Sequence, residues 1–412
     1  MNVLFIHEVD WVNKVVFDIH SLAEALSLAG HKVYAIDYEN TWSRNGLLDF
    51  GGLKTREYEG ICRAFPGASV CLRRPGFIKI PVLSRLSAGF SHYSEIRRTI
   101  REKDIDAIVL YSAATNGLQT LRLAGKYNIP VVFRSIDILN QLVNYPALRP
   151  LTRFLEKMVY SRADMILTLT PKLSSYVIAL GAEEARVKLL PMPVDTNLFH
   201  PAIDSSEVRQ KWGFGANDRI ILFIGTLFEF SGLDTLIPRF SEVLKQIPGA
   251  RLLVVGDGPQ RPRLERVINE SKLQNQVIIT GFEPYQMMTQ YINLASMCIN
   301  TFRITDATRD IFPGKTVQYL ACGKAVIATG LPGMIAVISG EDQGVVYVSS
   351  TEDMVSEIIS LLKNPNRRQR IEKAGLDYVK HVHSYEKIAK QLETHLEQAI
   401  RDKRMKTGIK CA

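Results

Sequence analysis

The chain has 412 residues, 46% hydrophobic and 23% charged, with a formal net charge of +9. That composition excludes a low-complexity or disordered polymer, and the length favours two sizeable cores over one. The excess of positive charge points to an anionic partner, whether nucleotide phosphates, acidic lipid or nucleic acid, and charge alone does not choose among them.

Five cysteines (Cys62, Cys71, Cys298, Cys322, Cys411) make an odd count without a Cys-x-x-Cys pair. Neither a disulfide framework nor a zinc site is indicated, so a reducing, cytoplasmic setting is expected. The start, MNVLFIHEVD, lacks the basic head and small-residue cleavage site of a signal peptide. The longest apolar run, Ala325 to Ile338, is broken by Gly330, Pro332 and Gly333. It is well short of the roughly 20 apolar residues that a spanning helix needs.

In chain order, Val3–Ile6 is predicted as a buried strand, followed by an amphipathic helix from Asp18 to Ala29 that Gly30 stops. Strands are then predicted at Lys32–Ile36, Ala107–Tyr111, Pro130–Arg134, Met165–Leu169 and Val187–Leu190. Pro191, Pro193 and Pro201 punctuate the chain near residue 200. The grammar then repeats, with strands at Arg219–Ile224, Arg251–Val255, Val277–Thr280, Met297–Asn300, Ala325–Ala328 and Val345–Val348. Strands separated by helices imply parallel pairing, so the fold class is α/β, with two Rossmann-like domains facing across a ligand cleft. The expected division is 1–200, 201–385, and a C-terminal helix over 386–412 that packs back on the first domain and ends in a basic tail.

The segment from Asp310 to Thr329 carries the most chemistry. Pro313-Gly314 suits a helix start, because proline's missing N–H costs nothing there and glycine admits a close ligand. Free amides beside Lys315 would form an anion site suited to a nucleoside diphosphate.

Across nearly the whole chain, ordered motifs resemble the retaining family 4 glycosyltransferases of GT-B architecture. They include Leu22-Ala-Glu-Ala-Leu26, Ala29-Gly-His-Lys-Val33, Pro191-Met-Pro-Val-Asp195 with Phe199 and Pro201, Phe223-Ile-Gly225, Gly256-Asp-Gly-Pro259, Thr280-Gly281-Phe282 and Tyr319 to Ile327. The resemblance implies transfer of a sugar from a nucleotide diphosphate to a saccharide or lipid-linked acceptor, with a UDP- or GDP-sugar favoured over an ADP-sugar and no cofactor. It makes 1–200 the acceptor domain and 201–385 the donor domain.

The same resemblance places donor contacts at Gly225, Thr226, Ser231, Gly256, Gly281, Phe282, Phe312, Gly314 and Lys315. The family's Glu-x7-Glu pair falls on Asp310, for the sugar hydroxyls, and Gln318, for the ribose. Glutamine can still accept one hydroxyl hydrogen bond and donate another. The family's Gly-Arg-x4-Lys becomes Gly225-Thr226 with Ser231, so both cations that grip the leaving diphosphate are missing. Lys315, Arg303 and Arg309 are the candidate replacements, Lys315 first.

On the acceptor side, Asn13-Lys14 stand where the family often has Gly-Gly, and Lys14 is either a phosphate contact or a solvated loop lysine. The family's His-Asp becomes Ile136-Asp137, which leaves Asp137 as a catalytic candidate or a helix cap. His7 and Glu8 end the first strand, and His7 is a candidate acceptor contact. No metal is expected: Asp104-Ile-Asp106 resembles a metal motif but precedes a buried strand.

Basic residues gather at Arg73, Arg74, Lys79 and Arg85, and at Arg97, Arg98, Arg101 and Lys103. Residues 74–85 mix cations with apolar side chains, which suits an anionic membrane surface as well as a solvated face over a core. No aromatic-basic stripe supports nucleic acid. The leading expectation is a cytoplasmic enzyme, peripheral on the inner membrane face. The missing cations also motivate a non-catalytic glycan- or partner-binding protein on the same scaffold, and an isomerase or phosphorylase of related architecture is the third possibility.

Overall fold

The computed structural model describes residues 1–14, 16–39, 50–80, 83–143 and 145–406. The chain forms two compact units, one of Met1–Pro193 with the chain from Tyr385 onward, the other of Val194–Ser384.

Unit 1 holds β1 (Asn2–Ile6), β2 (Lys32–Ile36), β3 (Arg56–Ile61), β4 (Val70–Arg74), β5 (Ala107–Leu110), β6 (Val131–Ser135), β7 (Met165–Thr168) and β8 (Val187–Leu189). Its helices are α1 (Asp18–Leu28), α2 (Leu83–Glu102), α3 (Gly117–Tyr127), α4 (Arg149–Tyr160) and α5 (Pro171–Ala179). The sheet order is β3-β4-β2-β1-β5-β6-β7-β8, parallel except for the antiparallel β3–β4 pair. Apolar residues alternate to both faces because helices cover both. Leu4, Ile6, Ile108 and Leu110 meet Ile96, Leu123 and Val159 of α2, α3 and α4. On the other face, Val3, Phe5 and Val109 meet Leu22 and Leu26 of α1.

Unit 2 holds α6 (Ser206–Lys211), β9 (Arg219–Ile224), α7 (Leu233–Gln246), β10 (Ala250–Val255), α8 (Arg261–Glu270), β11 (Val277–Ile279), α9 (Met288–Leu294) and β12 (Met297–Asn300). It continues with α10 (Lys315–Ala321), β13 (Val326–Thr329), α11 (Pro332–Ile335), β14 (Val345–Val348), α12 (Thr351–Lys363) and α13 (Pro365–Val382). Its sheet is wholly parallel, in the order β11-β10-β9-β12-β13-β14. The winding reverses between β9 and β12, and an open parallel sheet presents a ligand site at the carboxyl end of such a reversal. The chain then returns to unit 1 through α14 (Tyr385–Lys406), whose Ile388, Leu392 and Leu396 complete the core beside α1. Residues 407–412 of the basic tail, with Cys411, lie outside the described residues.

Two strands of unit 1 were not expected, β3 and β4. The sequence of β3, REYEGI, is polar and largely exposed, as suits an edge strand. The end of β4 is Arg73-Arg74, which reads as surface until its partners are known. Both arginines are buried. Arg73 pairs with Glu95, Glu57 and Glu102, and Arg74 pairs with Asp10 and Asp37.

A second buried pair fastens the carboxyl rim of this sheet. Arg134, on β6, donates to both oxygens of Asp18 at 3.1 and 2.7 Å and to the Leu190 carbonyl at 2.6 Å. The Tyr111 hydroxyl donates to the same aspartate at 2.8 Å. Asp18→Ala would leave the Arg134 guanidinium uncompensated in the core. It should lower stability by roughly 3–5 kcal/mol, read by denaturant unfolding of the full chain.

Candidate active site

In unit 2 the strand ends converge at the reversal. Gly225 follows β9 and Gly256 follows β10, both at φ +147°. A Cβ on Gly256 would stand 2.0 Å from the Gly225 carbonyl oxygen, so only glycine permits this approach. Gly281, after β11, forms an isolated bridge with Gly256. Phe282, next to it, exposes 66% of its surface.

The N-terminus of α10 faces the same rim. The Ile224 amide donates to Tyr319 Oη at 2.7 Å, which pins α10 against the end of β9. Lys315 then directs its Nζ over the rings of Phe223, at 3.7 Å, and Phe302, at 4.1 Å. A Cβ on Gly225 would lie 3.6 Å from this amine. Nζ is buried and has no hydrogen-bond partner among the described residues. Burial pushes its pKa well below the ordinary lysine value, and the opposing charge of Cys298 is the lesser influence. The two ring faces also favour the charged form, as an attraction that needs no counter-ion.

Two further buried polar side chains of unit 2 lack partners among the described residues. Asn300, closing β12, has both amide atoms unpaired, and the Thr316 hydroxyl is unpaired on α10. Asn300 escaped notice in the sequence, although it is a lone polar residue ending the apolar strand Met-Cys-Ile. Gln318 lies one turn beyond Lys315, with Nε2 3.4 Å from Tyr285 Oη.

The remaining predicted donor residues are spread over the same end of unit 2. Asp310 is half-buried in a loop held by α11: the Gly333 amide donates to Arg309 O at 2.8 Å, and a Cβ on Gly333 would meet Asp310 O at 2.3 Å. The Arg309 residue itself is exposed, and Gly314 directly precedes α10. Thr226 is half-buried and Ser231 buried. Arg303 is engaged elsewhere, donating to Asp234 at 2.7 Å and to Glu229 O at 3.1 Å. The Phe312 ring is buried and stacks on His383 at 6.0 Å, which leaves only its main chain toward a ligand.

In unit 1, His7 follows β1 with its ring 5.4 Å from Phe17 and 5.3 Å from Tyr111. Burial, reinforced by His20 and Lys14, lowers its pKa to about 3, so it is neutral at working pH. Its buried Nδ1 has no partner among the described residues. Asn13 donates its amide N–H and its Nδ2 to Asp10, each at 2.9 Å, and thereby shapes the loop; Lys14 is exposed. Glu8 caps the start of α3 by accepting from Ser112, Thr115 and Asn116. Asp137, just beyond β6, is half-buried, and its pKa is pushed up to about 6 by burial and then by the charge of Asp18.

The Asp104-x-Asp106 pair is structural, since Asp106 Oδ2 accepts the Asn2 amide at 2.7 Å. The basic stretch is not the continuous surface patch that its sequence suggests. Arg73 and Arg74 are internal ion-pair partners and offer no surface charge, and Pro81 and Val82 within 74–85 lie outside the described residues. Arg85 packs over the Tyr38 ring and donates to Thr115 at 2.8 Å.

Residues 204–378 match the family described as glycosyl transferases group 1, and residues 16–193 match the glycosyl transferase 4-like domain. The chain is 21% identical over 375 residues to the alpha-monoglucosyldiacylglycerol synthase of Acholeplasma laidlawii, covering 86% of each chain. It is 25% identical over 290 residues to the GDP-mannose-dependent alpha-(1-6)-phosphatidylinositol monomannoside mannosyltransferase of Mycolicibacterium smegmatis, covering 68% of this chain and 74% of that one. The sucrose-phosphate synthase of Thermosynechococcus elongatus superposes with a TM-score of 0.74 at 18% identity, covering 97% and 99% of the two chains. The chain belongs to the family 4, group 1 glycosyltransferases, on a GT-B scaffold of two Rossmann-like domains. It is a sugar-transferring enzyme, and nothing favours the non-catalytic alternative.

The Asp137 carboxyl makes the stability of the protein depend on pH. Its folded pKa of about 6 lies above the unfolded value near 3.8, so folding favours the protonated form. The protein therefore loses stability as pH rises from about 4 to about 6, by at most roughly 3 kcal/mol. Asp137→Asn should melt higher than wild type at pH 7.5, with the difference vanishing near pH 4 in thermal unfolding.

Proposed function

We propose that this enzyme transfers a sugar from a nucleotide diphosphate, a UDP- or GDP-sugar, to a lipid-linked acceptor, with retention of configuration and without a metal ion. Unit 2 takes the donor and unit 1 the acceptor. The observation that carries the reading is the unpartnered Lys315 amine at the reversal of the unit 2 sheet.

A leaving diphosphate develops negative charge, and a cation held against it before the bond breaks stabilises it without reorganisation. The family's usual cation positions hold Thr226 and Ser231 here, and Arg303 is paired with Asp234. Lys315 therefore carries this task, with Arg309 as the second cation on the loop. Asn300 and Thr316 supply donors that their own fold leaves unused. Gly225 and Gly256 let the diphosphate approach the main chain, Phe282 offers a ring face to the base, and Gln318 takes the ribose. Asp310 takes the sugar hydroxyls with the shorter of the two acidic side chains.

In a retaining transfer on one face of the sugar, the leaving phosphate oxygen accepts the proton of the incoming hydroxyl, so no histidine–carboxylate relay is required. His7 is neutral and contacts the acceptor as a polar group. Asp137 is ionised at neutral pH and accepts a hydrogen bond from the acceptor. Lipid-linked acceptors are favoured because both relatives carry lipids in their names, diacylglycerol in one and phosphatidylinositol in the other. The cytoplasmic setting follows from the cysteine usage.

The test is acceptor-dependent release of nucleoside diphosphate from UDP- and GDP-sugars, with diacylglycerol and phosphatidylinositol among the acceptors. Lys315→Met should lower kcat by about 10²–10³. Gln318→Ala should weaken donor binding about tenfold, the loss of one hydrogen bond. Chelator should leave the rate unchanged, and the product's anomeric proton coupling should match the donor's. Wild-type turnover in Lys315→Met would refute the assignment.

A further inference from the structure

Unit 1 exposes two apolar stripes that its own core does not use. One runs from Leu142 through Tyr145, Leu148 and Leu151 to Phe154, all exposed, with Tyr145 at 72%. The other is Leu83, Leu86 and Phe90 on α2, spaced i, i+3, i+7, with Phe90 at 80%. Soluble surfaces carry such residues singly, and contiguous groups of them mark interaction sites.

Their placement follows from the topology. The helices α2 and α4 connect parallel strands and run antiparallel to them, so both begin at the carboxyl rim of the sheet. They cover the same face, because residues of both pack into one core with Ile108 and Leu110. The first stripe begins within five residues of Asp137, the acceptor-side carboxylate.

Charge on the first stripe is of one sign. Arg149, Arg153 and Lys157 are exposed, and the one acidic residue between 138 and 158 is Glu156, fully buried. Its carboxylate accepts from the Leu139 amide at 3.1 Å, from Asn140 at 2.7 Å and from the hydroxyls of Tyr160 and Tyr176, each at 3.1 Å. The same bonds hold the start of the segment to α4, so the exposed residues sit on ordered short 3-10 turns and a helix. Exposed apolar side chains beside cations, with the only anion withdrawn, match the interface of an anionic bilayer.

We infer that Leu142, Tyr145, Leu148, Leu151 and Phe154 form the membrane-docking surface of this enzyme, inserting Tyr145, Leu151 and Phe154 into an anionic leaflet while Arg149, Arg153 and Lys157 meet its headgroups, with the α2 stripe as a second contact. This moves the lipid-facing role away from Arg73 and Arg74. It rests on the lipid-acceptor reading above and gives that reading a route by which the acceptor reaches the rim near Asp137 without leaving the bilayer.

The test is co-sedimentation of the full chain with vesicles of phosphatidylcholine alone or mixed with phosphatidylglycerol. Wild type should bind the mixed vesicles and be released by salt. The triple variant Tyr145→Ser, Leu151→Ser, Phe154→Ser should bind at least tenfold more weakly, while its circular dichroism and thermal unfolding match wild type and report an intact fold of both units. Equal vesicle binding by wild type and variant overturns the inference. So does concentration-dependent dimerisation of wild type, abolished in the variant, without vesicle binding; that outcome would assign the surface to a second copy. Failure of vesicle binding with sugar transfer intact removes only this inference. Vesicle binding without any sugar transfer removes the functional reading and leaves the surface standing.

Discussion

A lysine amine buried without a partner among the described residues is the constraint around which unit 2 is organised. Lys315 Nζ lies between two phenylalanine rings, against a glycine, at the point where the sheet reverses. Desolvation costs the charged form several kcal/mol unless something compensates, and a quadrupole from two rings is a partial compensation. A bound anion completes it. The glycine turns after β9 and β10 keep side chains out of the space that such an anion needs, and the Tyr319 hydroxyl holds α10 in position.

Unit 1 handles its charges in the opposite way. Asp18 with Arg134, and Asp10 and Asp37 with Arg74, are complete pairs with short hydrogen bonds, and they join the ends of β1, β2, β4 and β6. That rigid rim positions Asp137 and the loop at Asn13 and Lys14. The excess of positive charge that first suggested an anionic partner is thus divided. Some of it is internal architecture, and the part free to meet a partner includes exposed residues such as Arg149, Arg153 and Lys157.

Much of this was legible in the sequence, because buried parallel strands are continuous apolar runs and glycines mark their ends. The order of motifs from Leu22 to Ile327 identified the family and its scaffold. What could not be read depended on pairing across long sequence separations. Arg73 and Arg74 look like surface residues until Glu95, Asp10 and Asp37 are brought to them. Phe302 gains meaning only when α10 places Lys315 beside it. The stripe at 142–154 was missed because an apolar segment reads as core, and only its exposure shows otherwise. Arg303 passed as a candidate cation for the converse reason, since its partner Asp234 lies on α7.

If Lys315 grips the leaving diphosphate, it does so as a cation although burial favours its neutral form in the free enzyme. Calorimetric titration of UDP or GDP in two buffers of different ionisation enthalpy measures this directly. Net proton uptake on binding, growing as pH rises and lost in Lys315→Met, is the predicted result. Binding with no net proton exchange, or with the same uptake in the variant, would contradict it.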